Sequence, residues 1–267
     1  MKKSIIVALS FLVSLLATAC SKSIFTNGVP VTESRPIGNF KSISMHNNVN
    51  VKLVQSNQPH LELTCPSNLI DGITTELSTT GDTLIIRNEN KFNWLRSYDY
   101  DIDLTVYYDS LREVNYASIG RLSCADQDTL RGVYEMQYDT LITNNDTLIN
   151  GVFVHIFYLN TNEGSGDINL TFDCDVVKHK FGNGTSCVTF RGNTGYSEHV
   201  TRSYGQIHAE DLNSNIVVVE SESTNDVYVW AKNDLKAYLY SIGNVYYKGH
   251  PQLETTCTND GRVISLE

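Results

Sequence analysis

The chain has 267 residues and carries 30 acidic against 20 basic side chains, so its formal net charge at pH 7 is −10. This charge argues against a nucleic-acid partner, which needs a cationic surface, and against direct adsorption to anionic lipid. About 230 residues remain after the first 36, enough for one domain with a sizeable core.

Residues 1–19 have the pattern of a secretion signal. Lys2 and Lys3 supply a positive region, and an apolar run of 12 residues follows over 5–16. This run is too short to span a bilayer, which takes about 20 residues. Three small residues then precede Cys20, as in a bacterial lipobox, although Ala17 stands where leucine is commonest. We therefore predict a lipoprotein signal peptide and lipidation of Cys20, which would anchor the protein in a membrane.

Residues 20–36 are predicted to be the lipidated N-terminus and a tether, because they contain Gly28, Pro30 and Pro36 and show no sustained periodicity. No later stretch is long and apolar enough to span a membrane. The expected location is the cell envelope, as an outer-membrane lipoprotein. Because no acidic run follows Cys20, a periplasmic-facing orientation is favoured over the cell surface.

The N-terminal half of the domain predicts short strands separated by turn residues. Residues 69–77 are compatible with either a short helix or an irregular crossover. The strand-like runs are 40–45, 49–54, 61–64, 83–87 and 98–108.

The last of these runs places Asp99, Asp101 and Asp103 on one strand face. Three carboxylates could bind a hard cation such as calcium, but a straight strand does not bring its side chains together around an ion. We interpret them as a solvated outer face and predict no metal site.

A turn marked by glycine, or once by asparagine, recurs down the C-terminal half at steps of 18, 21, 20, 18 and 18 residues. A short period with β-rich content predicts a right-handed parallel β-helix-like solenoid with coils of about 18–21 residues, over residues 37–267. An insertion near 127–150, containing three Asp-Thr-Leu sequences, interrupts the period as a predicted hairpin. The turns begin at Gly166, Gly184, Gly205, Asn225, Gly243 and Gly261, with an earlier one at Gly120.

Residues two and four positions after each turn are mostly apolar, whereas the residues between them are mixed. This alternation predicts that each turn opens a strand with one face inward. Ile207, Val227 and Val229 should then be buried, and His208 and Tyr228 should point outward. A second strand is expected before the next turn, over 176–181, 198–202, 216–220 and 235–240.

Outward aromatic residues are the best candidate ligand site. Tyr228 and Tyr246 share one column of the predicted stack, and Trp230 and Lys248 share the next. Exposed aromatic rings on a rigid sheet can stack on sugar rings or anchor a protein partner. The alternative is that another segment or a second subunit covers them.

Other reactive residues show no diagnostic spacing. His179, His199 and His208 could join a hydrolase-like constellation only if the fold brings them together with a carboxylate. The odd number of cysteines besides Cys20 leaves at least one free or paired with another chain, and their connectivity stays open. No cofactor is expected. The cysteines are Cys65, Cys124, Cys174, Cys187 and Cys257.

Three motifs resemble the head GIN domain family of auto-transporter adhesins over about residues 35–267. The opening is Arg35-Pro-Ile-Gly-Asn-Phe40 followed by Val49-Asn-Val51-Lys-Leu53. The family's Ser-Gly-Gly-Ser-Asp-Ile-like turn has a degenerate form at Gly164-Ser-Gly166-Asp-Ile168. The closing motif is Val245-Tyr-Tyr-Lys-Gly249-His-Pro251. The resemblance implies a β-helix-like fold in the envelope and supplies no catalytic residues.

We therefore expect a non-enzymatic, lipid-anchored envelope protein that presents a rigid surface to a glycan or protein ligand. Two alternatives stay open. One is an enzyme acting on polysaccharide, since β-helices can host carboxylate-based sugar chemistry, and the other is a structural envelope oligomer.

Overall fold

The computed structural model describes residues 28–91, 100–143 and 146–267. Within these ranges the chain forms eighteen strands and one short 3-10 helix, η1 (Ile70–Gly72), and contains no α-helix. The prediction of an all-β protein is confirmed. The strands are β1 (Pro30–Pro36), β2 (Ser42–Asn47), β3 (Asn50–Gln55), β4 (His60–Pro66), β5 (Ile73–Leu77), β6 (Thr83–Asn88), β7 (Asp103–Tyr108), β8 (Glu113–Ser118), β9 (Leu122–Cys124), β10 (Val133–Thr143), β11 (Asp146–Gly164), β12 (Ile168–Phe181), β13 (Val188–Thr201), β14 (Ile207–Ser221), β15 (Val227–Leu239), β16 (Val245–Lys248), β17 (Gln252–Cys257) and β18 (Val263–Ser265).

All these strands belong to one mixed sheet. Parallel pairing joins β12 to β13, β13 to β14 and β14 to β15, and continues from β15 to both β16 and β17. Antiparallel pairing joins β1 to β4, β4 to β7, β5 to β6 and β10 to β11. Because the sheet is mixed, the prediction of a parallel β-helix solenoid is not confirmed.

Each of the four longest C-terminal strands, β12 to β15, is part of a repeating unit that we call a coil. A coil is a turn, a first strand segment, a corner and a second segment, and the predicted second strands are the second segments. Inward side chains of the two segments meet in the core. His179, from a second segment, lies 5.2 Å from Phe190 of the next coil's first segment, measured between ring centroids.

Equivalent positions of successive coils stack in register. Ile168 pairs with Val188, Val188 with Ile207, and Ile207 with Val227. Val227 in turn pairs with Val245, so these coils are 18–20 residues long. The predicted burial is confirmed, since Ile207, Val227 and Val229 are at most 1% exposed.

One predicted turn is out of register by two residues. Gly184 was aligned with Gly166, but Val188 rather than Ser186 pairs with Ile168. A side chain added at Gly184 would meet the carbonyl oxygen of Gly164, whereas one at Gly205 would meet that of Ser186. Ser186 is therefore the equivalent of Gly166, and Gly184 is displaced because its turn is longer.

Serine hydroxyls hold successive turns together. Ser203 Oγ donates to the Gly184 carbonyl at 2.7 Å, and Ser223 Oγ donates to the Ser203 carbonyl at 2.6 Å. Each hydroxyl also accepts the backbone N–H two residues later, from Gly205 and Asn225 respectively. The Ser-x-Gly turn thus satisfies buried backbone groups that no strand partner reaches.

The N-terminal region departs from the predictions in two places. Residues 30–36, predicted as part of the tether, form β1 and pair along their length with β4. Their side chains are almost all exposed, so no apolar alternation marks this strand. The predicted helix or crossover at 69–77 consists of η1 followed by β5.

In the segment predicted as an insertion, β10 and β11 form an antiparallel hairpin, from Val133 opposite Ile156 to Thr143 opposite Asp146. The C-terminal part of β11, from Ile156 onward, lies beside the coils and pairs in parallel with β12 and β8. The predicted signal peptide, Cys20 and the first part of the tether lie outside the described residues. No helix among the described residues is long and apolar enough to cross a membrane.

Candidate functional site

An aromatic column lies on the outward face of the C-terminal coils. His208 pairs with Tyr228 across β14 and β15, and Tyr228 pairs with Tyr246 across β15 and β16. The rings are nearly parallel, with centroids 4.9 Å apart for the first pair and 5.0 Å for the second. All three residues are half-buried, and no described segment covers them completely. We call these three residues the ring stack.

The ring stack limits which surfaces a ligand can reach. Tyr228 has one face against His208 and the other against Tyr246, so it offers a ligand only its edge and hydroxyl. Burial, with the nearby Asp226 carboxylate, raises the pKa of Tyr228, so the hydroxyl remains a donor. The expectation that Tyr228 stacks on a sugar ring therefore does not fit its surroundings, whereas edge contacts do.

Trp230 occupies the neighbouring outward column, beside Lys248 as predicted. No ring of the described residues packs against the Trp230 indole. Its Cδ1 atom would lie 3.5 Å from a side chain built on Gly249, a glycine with a φ of 94°. Among the predicted ligand-binding residues, Trp230 therefore differs from the tyrosines in having no ring stacked on it within the described chain, and it lies between Asn213 of β14 and Lys248 of β16.

Lys248 is held beside Trp230 by the preceding coils. Its Nζ donates to the Glu210 carbonyl at 3.1 Å and lies 3.4 Å from Asp211 Oδ1. His208 Nδ1 lies 3.1 Å from Glu210 Oε1. These contacts fix the positions of the polar side chains that border the ring stack and Trp230.

Sequence reasoning predicted that His208 points outward with Tyr228, but it did not include His208 in the candidate ligand site. Its position after the turn equals that of Tyr228 and Tyr246, so column alignment alone could have placed it there.

The three histidines do not form a catalytic constellation. His179 and His199 are completely buried, pair with each other across β12 and β13, and lie among phenylalanine rings. His208 is on the outward face. Burial lowers the pKa of His199 to about 4 and that of His179 well below its usual value, so both rings are neutral at pH 7.

The carboxylate row is only partly a strand face. Asp99 lies outside the described residues, and Asp101 precedes β7, which begins at Asp103. Asn50 Nδ2 donates to Asp103 Oδ1 at 3.0 Å and is 3.5 Å from Asp101 Oδ1. In the described part of the chain, no group of three or more histidine, cysteine or acidic side chains could hold a metal ion.

The five described cysteines are all unpaired in this structure. Cys65 and Cys174 are buried, Cys124 and Cys187 are half-buried, and Cys257 is exposed on β17. Burial raises the pKa of the Cys65 and Cys124 thiols to about 11, so neither is a reactive thiolate at neutral pH.

A family model described as "Putative auto-transporter adhesin, head GIN domain" matches residues 39–251. This chain belongs to the head GIN domain family. The resemblance drawn from the opening, the glycine turns and the closing motif is confirmed.

Solved structures of similar shape include a "putative adhesin" from Bacteroides fragilis, with 15% identity and a TM-score of 0.74. That match covers 91% of this chain and 100% of the other. A "putative lipid binding protein" from Parabacteroides distasonis matches with 18% identity and a TM-score of 0.57, covering 91% and 99% of the two chains. At these identities the likeness shows the fold alone. No curated protein matches this chain.

Proposed function

We propose that this head GIN domain protein is a non-enzymatic, lipid-anchored adhesin of the cell envelope. Its outward aromatic surface, formed by the ring stack and Trp230, would bind a glycan or a protein. The observation that carries this proposal is a set of four half-buried rings fixed on adjacent strands of one sheet. The family description and the adhesin among the structural neighbours support the same class of function.

Rigidity is what makes such a surface useful for attachment. We propose that the C-terminal coils wind as a right-handed solenoid, since crossovers between parallel strands of one sheet are almost always right-handed. Side chains fixed by a sheet lose little entropy when a ligand binds. Many copies on one membrane would then add weak contacts into firm attachment.

The ring stack and Trp230 would play different parts. Trp230 supplies a ring face for stacking, while Tyr228 and Tyr246 supply edges and hydroxyl groups for hydrogen bonds. His208, with Glu210 beside it, closes one end of the surface. We therefore expect Trp230 to contribute most to affinity.

Binding can be tested with full-length protein in detergent on arrays of oligosaccharides and immobilised envelope proteins. Trp230→Ala should weaken binding about 5- to 150-fold, the equivalent of 1–3 kcal/mol at an aromatic hot spot. Tyr204→Ala is the matched control, because Tyr204 is 69% exposed and outside the aromatic columns. A Trp230→Ala protein that binds like the parent, or that melts early because the ring is structural, would contradict the proposal.

The anchor requires a separate test, because Cys20 lies outside the described residues. We expect Cys20→Ala to release the protein from the membrane fraction or to leave its signal peptide uncleaved. Protease treatment of intact cells should spare the parent protein if it faces the periplasm. A Cys20→Ala protein that still fractionates with membranes would exclude lipidation as the anchor.

A further inference from the structure

A polar groove follows the outer corner of the coils built on β12, β13 and β14. Its volume is about 400 Å³, within the range of small-ligand sites. Its lining is dominated by carboxylate and amide side chains and includes a lysine at one end. The carboxylate, amide and lysine side chains of the lining are Asp173, Asp175, Asn193, Asn213, Asn215 and Lys232.

One wall of the groove is a column of planar polar groups. Asp173 pairs with Asn193, and Asn193 pairs with Asn213, so three successive coils place one such side chain each. Asn213 Nδ2 donates to Asn193 Oδ1 at 3.1 Å, which orients both amides. Neighbouring strands are about 4.8 Å apart, so the three side chains of the wall span roughly 10 Å.

The groove owes its depth to a glycine. Gly195 lies between Asp175 and Asn215, as the strand pairs on either side of these residues show. A side chain built on Gly195 would come within 3.0 Å of the Asp175 carbonyl oxygen. The missing side chain at this position therefore leaves a gap between two polar residues of the same column.

The wall column leads directly to the aromatic surface. Asn213 pairs with Trp230 on β15, so the next position after the two amides carries an indole ring. A row of amide and carboxylate groups that ends at an aromatic ring combines the two contacts a sugar needs. The planar polar groups bind hydroxyls, and the ring packs against the apolar face of the sugar.

The charges of the groove exclude other ligand classes. Asp173 and Asp175 are exposed carboxylates, and Asp175 already accepts from the His155 backbone N–H at 2.7 Å. Among the described residues, Lys232 is the one lysine or arginine that lines the groove, so this lining lacks the cationic cluster that phosphate or nucleic acid requires. The largely polar lining is also unsuited to acyl chains.

We infer that this groove binds a sugar unit of a glycan chain. Hydroxyls would pair with the Asp173 carboxylate and the Asn193 amide, while Asn213, whose Oδ1 is buried, holds Asn193 in place. An adjacent unit would lie against Trp230. This inference rests on the proposed function and names its ligand class and the recognising residues. It assigns the ring stack to the border of the glycan site rather than to its centre.

The test uses full-length protein in detergent and defined oligosaccharides of glucose, galactose, mannose and N-acetylglucosamine. Asn193→Leu should fill the groove and lower affinity for the bound sugar at least tenfold, with the melting temperature unchanged because Asn193 is exposed. Asp173→Asn keeps the shape and hydrogen-bonding capacity and should lower affinity only a few-fold. Tyr204→Ala should bind like the parent.

Two results would overturn the inference and can be told apart. If glycan binding persists in Asn193→Leu but is lost in Trp230→Ala, the groove is not the site, although the proposed function stands. If the parent protein binds none of these sugars yet attaches cells to protein-coated surfaces, the ligand class is wrong while adhesion stands. Failure of both kinds of binding would overturn the proposed function as well.

Discussion

The N-terminal region, residues 30–124, and the C-terminal coils, residues 168–265, belong to the same sheet but are built differently. In the coils, the strands β12 to β15 have 13–15 residues and run through corners, and β13, β14 and β15 pair with their neighbours in parallel. In the N-terminal region strands have three to seven residues, and β4 and β5 pair antiparallel with their neighbours. Because the coils are of similar length, equivalent side chains stack on one another, and this stacking produces outward columns of ligand-accessible side chains as well as inward columns of core side chains.

The N-terminal region compensates for its irregular connections with specific side-chain contacts. Arg35 of β1 donates to the carbonyl of Ile73 at 2.6 Å and to that of Ile70 at 3.2 Å. Glu33 pairs with the same guanidinium at 3.0 Å. One side chain thus fixes η1 and the start of β5. In the coils, by contrast, a serine hydroxyl in each of two successive turns fixes that turn to the preceding one.

The largest effect should come from placing a charge in an inward column. Val229→Asp puts a carboxylate at a position that is 1% exposed, and an unpaired buried charge costs several kcal/mol. We expect the variant to unfold or to melt far below the parent. Val263→Asp is the control, because this residue of the final coil is only half-buried and should cost much less. Equal melting temperatures for the two variants would contradict the stacked arrangement.

Acid should weaken the coils more than the N-terminal region. His199 is neutral in the folded protein, with a pKa of about 4, but regains its ordinary value near 6.5 when unfolded. The unfolded state therefore binds more protons between these values, so the free energy of unfolding falls as the pH drops below about 6.5. The loss approaches roughly 3 kcal/mol near pH 4, at about 1.4 kcal/mol per pK unit.

Urea unfolding at pH 7 and pH 5 measures this effect, and His199→Phe should flatten the pH dependence. Phenylalanine suits the site because Phe190 already stacks on the imidazole at 5.8 Å. His46, on β2, is only partly buried and serves as the comparison through His46→Phe. The explanation fails if the parent and His199→Phe lose stability equally on acidification.

A smaller difference is expected between two glycines. Gly192 has a φ of 103°, and a side chain there would come within 2.1 Å of the Phe172 carbonyl oxygen of the preceding coil. Gly81, in the turn between β5 and β6, has a φ of 77° but no atom within 4 Å of such a side chain. Gly192→Ala therefore adds a steric clash to backbone strain, and should cost more than the 1–3 kcal/mol typical of strain alone.

Thermal unfolding of Gly192→Ala and Gly81→Ala provides the comparison. Gly81→Asn should recover part of the loss, because asparagine tolerates a left-handed backbone. If Gly81→Ala proves the more damaging change, the coils accommodate side chains better than their packing indicates.

Periodicity explains why the coils were predictable and the N-terminal region was less so. Val227, Val229 and Tyr228 follow an alternation that repeats in the next coil, so their burial and direction follow from the sequence. The two-residue error at Gly184 arose because Ser186 occupies the marked position of this turn, whereas the glycine that matches the pattern lies two residues earlier. β1 gave no signal, because a strand with almost all side chains exposed has no apolar alternation.

The candidate site was predictable only in part, for a similar reason. The outward direction of Tyr228, Tyr246 and Trp230 follows from the alternation of inward and outward residues along each strand. The geometry of their rings depends instead on the spacing between strands. The groove could be recognised only after Asn193 and Asn213 were known to pair and Gly195 to lie between polar neighbours. These relations require the correct register, and the register was wrong at Gly184.

The parallel stacking has a mechanical consequence. Hydrogen bonds between coils run along the stack, from the N-terminal strands at one end to β17 and β18 at the other. A pull between β1 and Trp230 therefore loads these bonds along their length, and all the bonds between two coils share the force. When the hydrogen bonds between two neighbouring coils break, a coil of about 20 residues releases roughly 65 Å of chain while its neighbours stay folded. The molecule would lengthen in steps under tension and absorb work at each step.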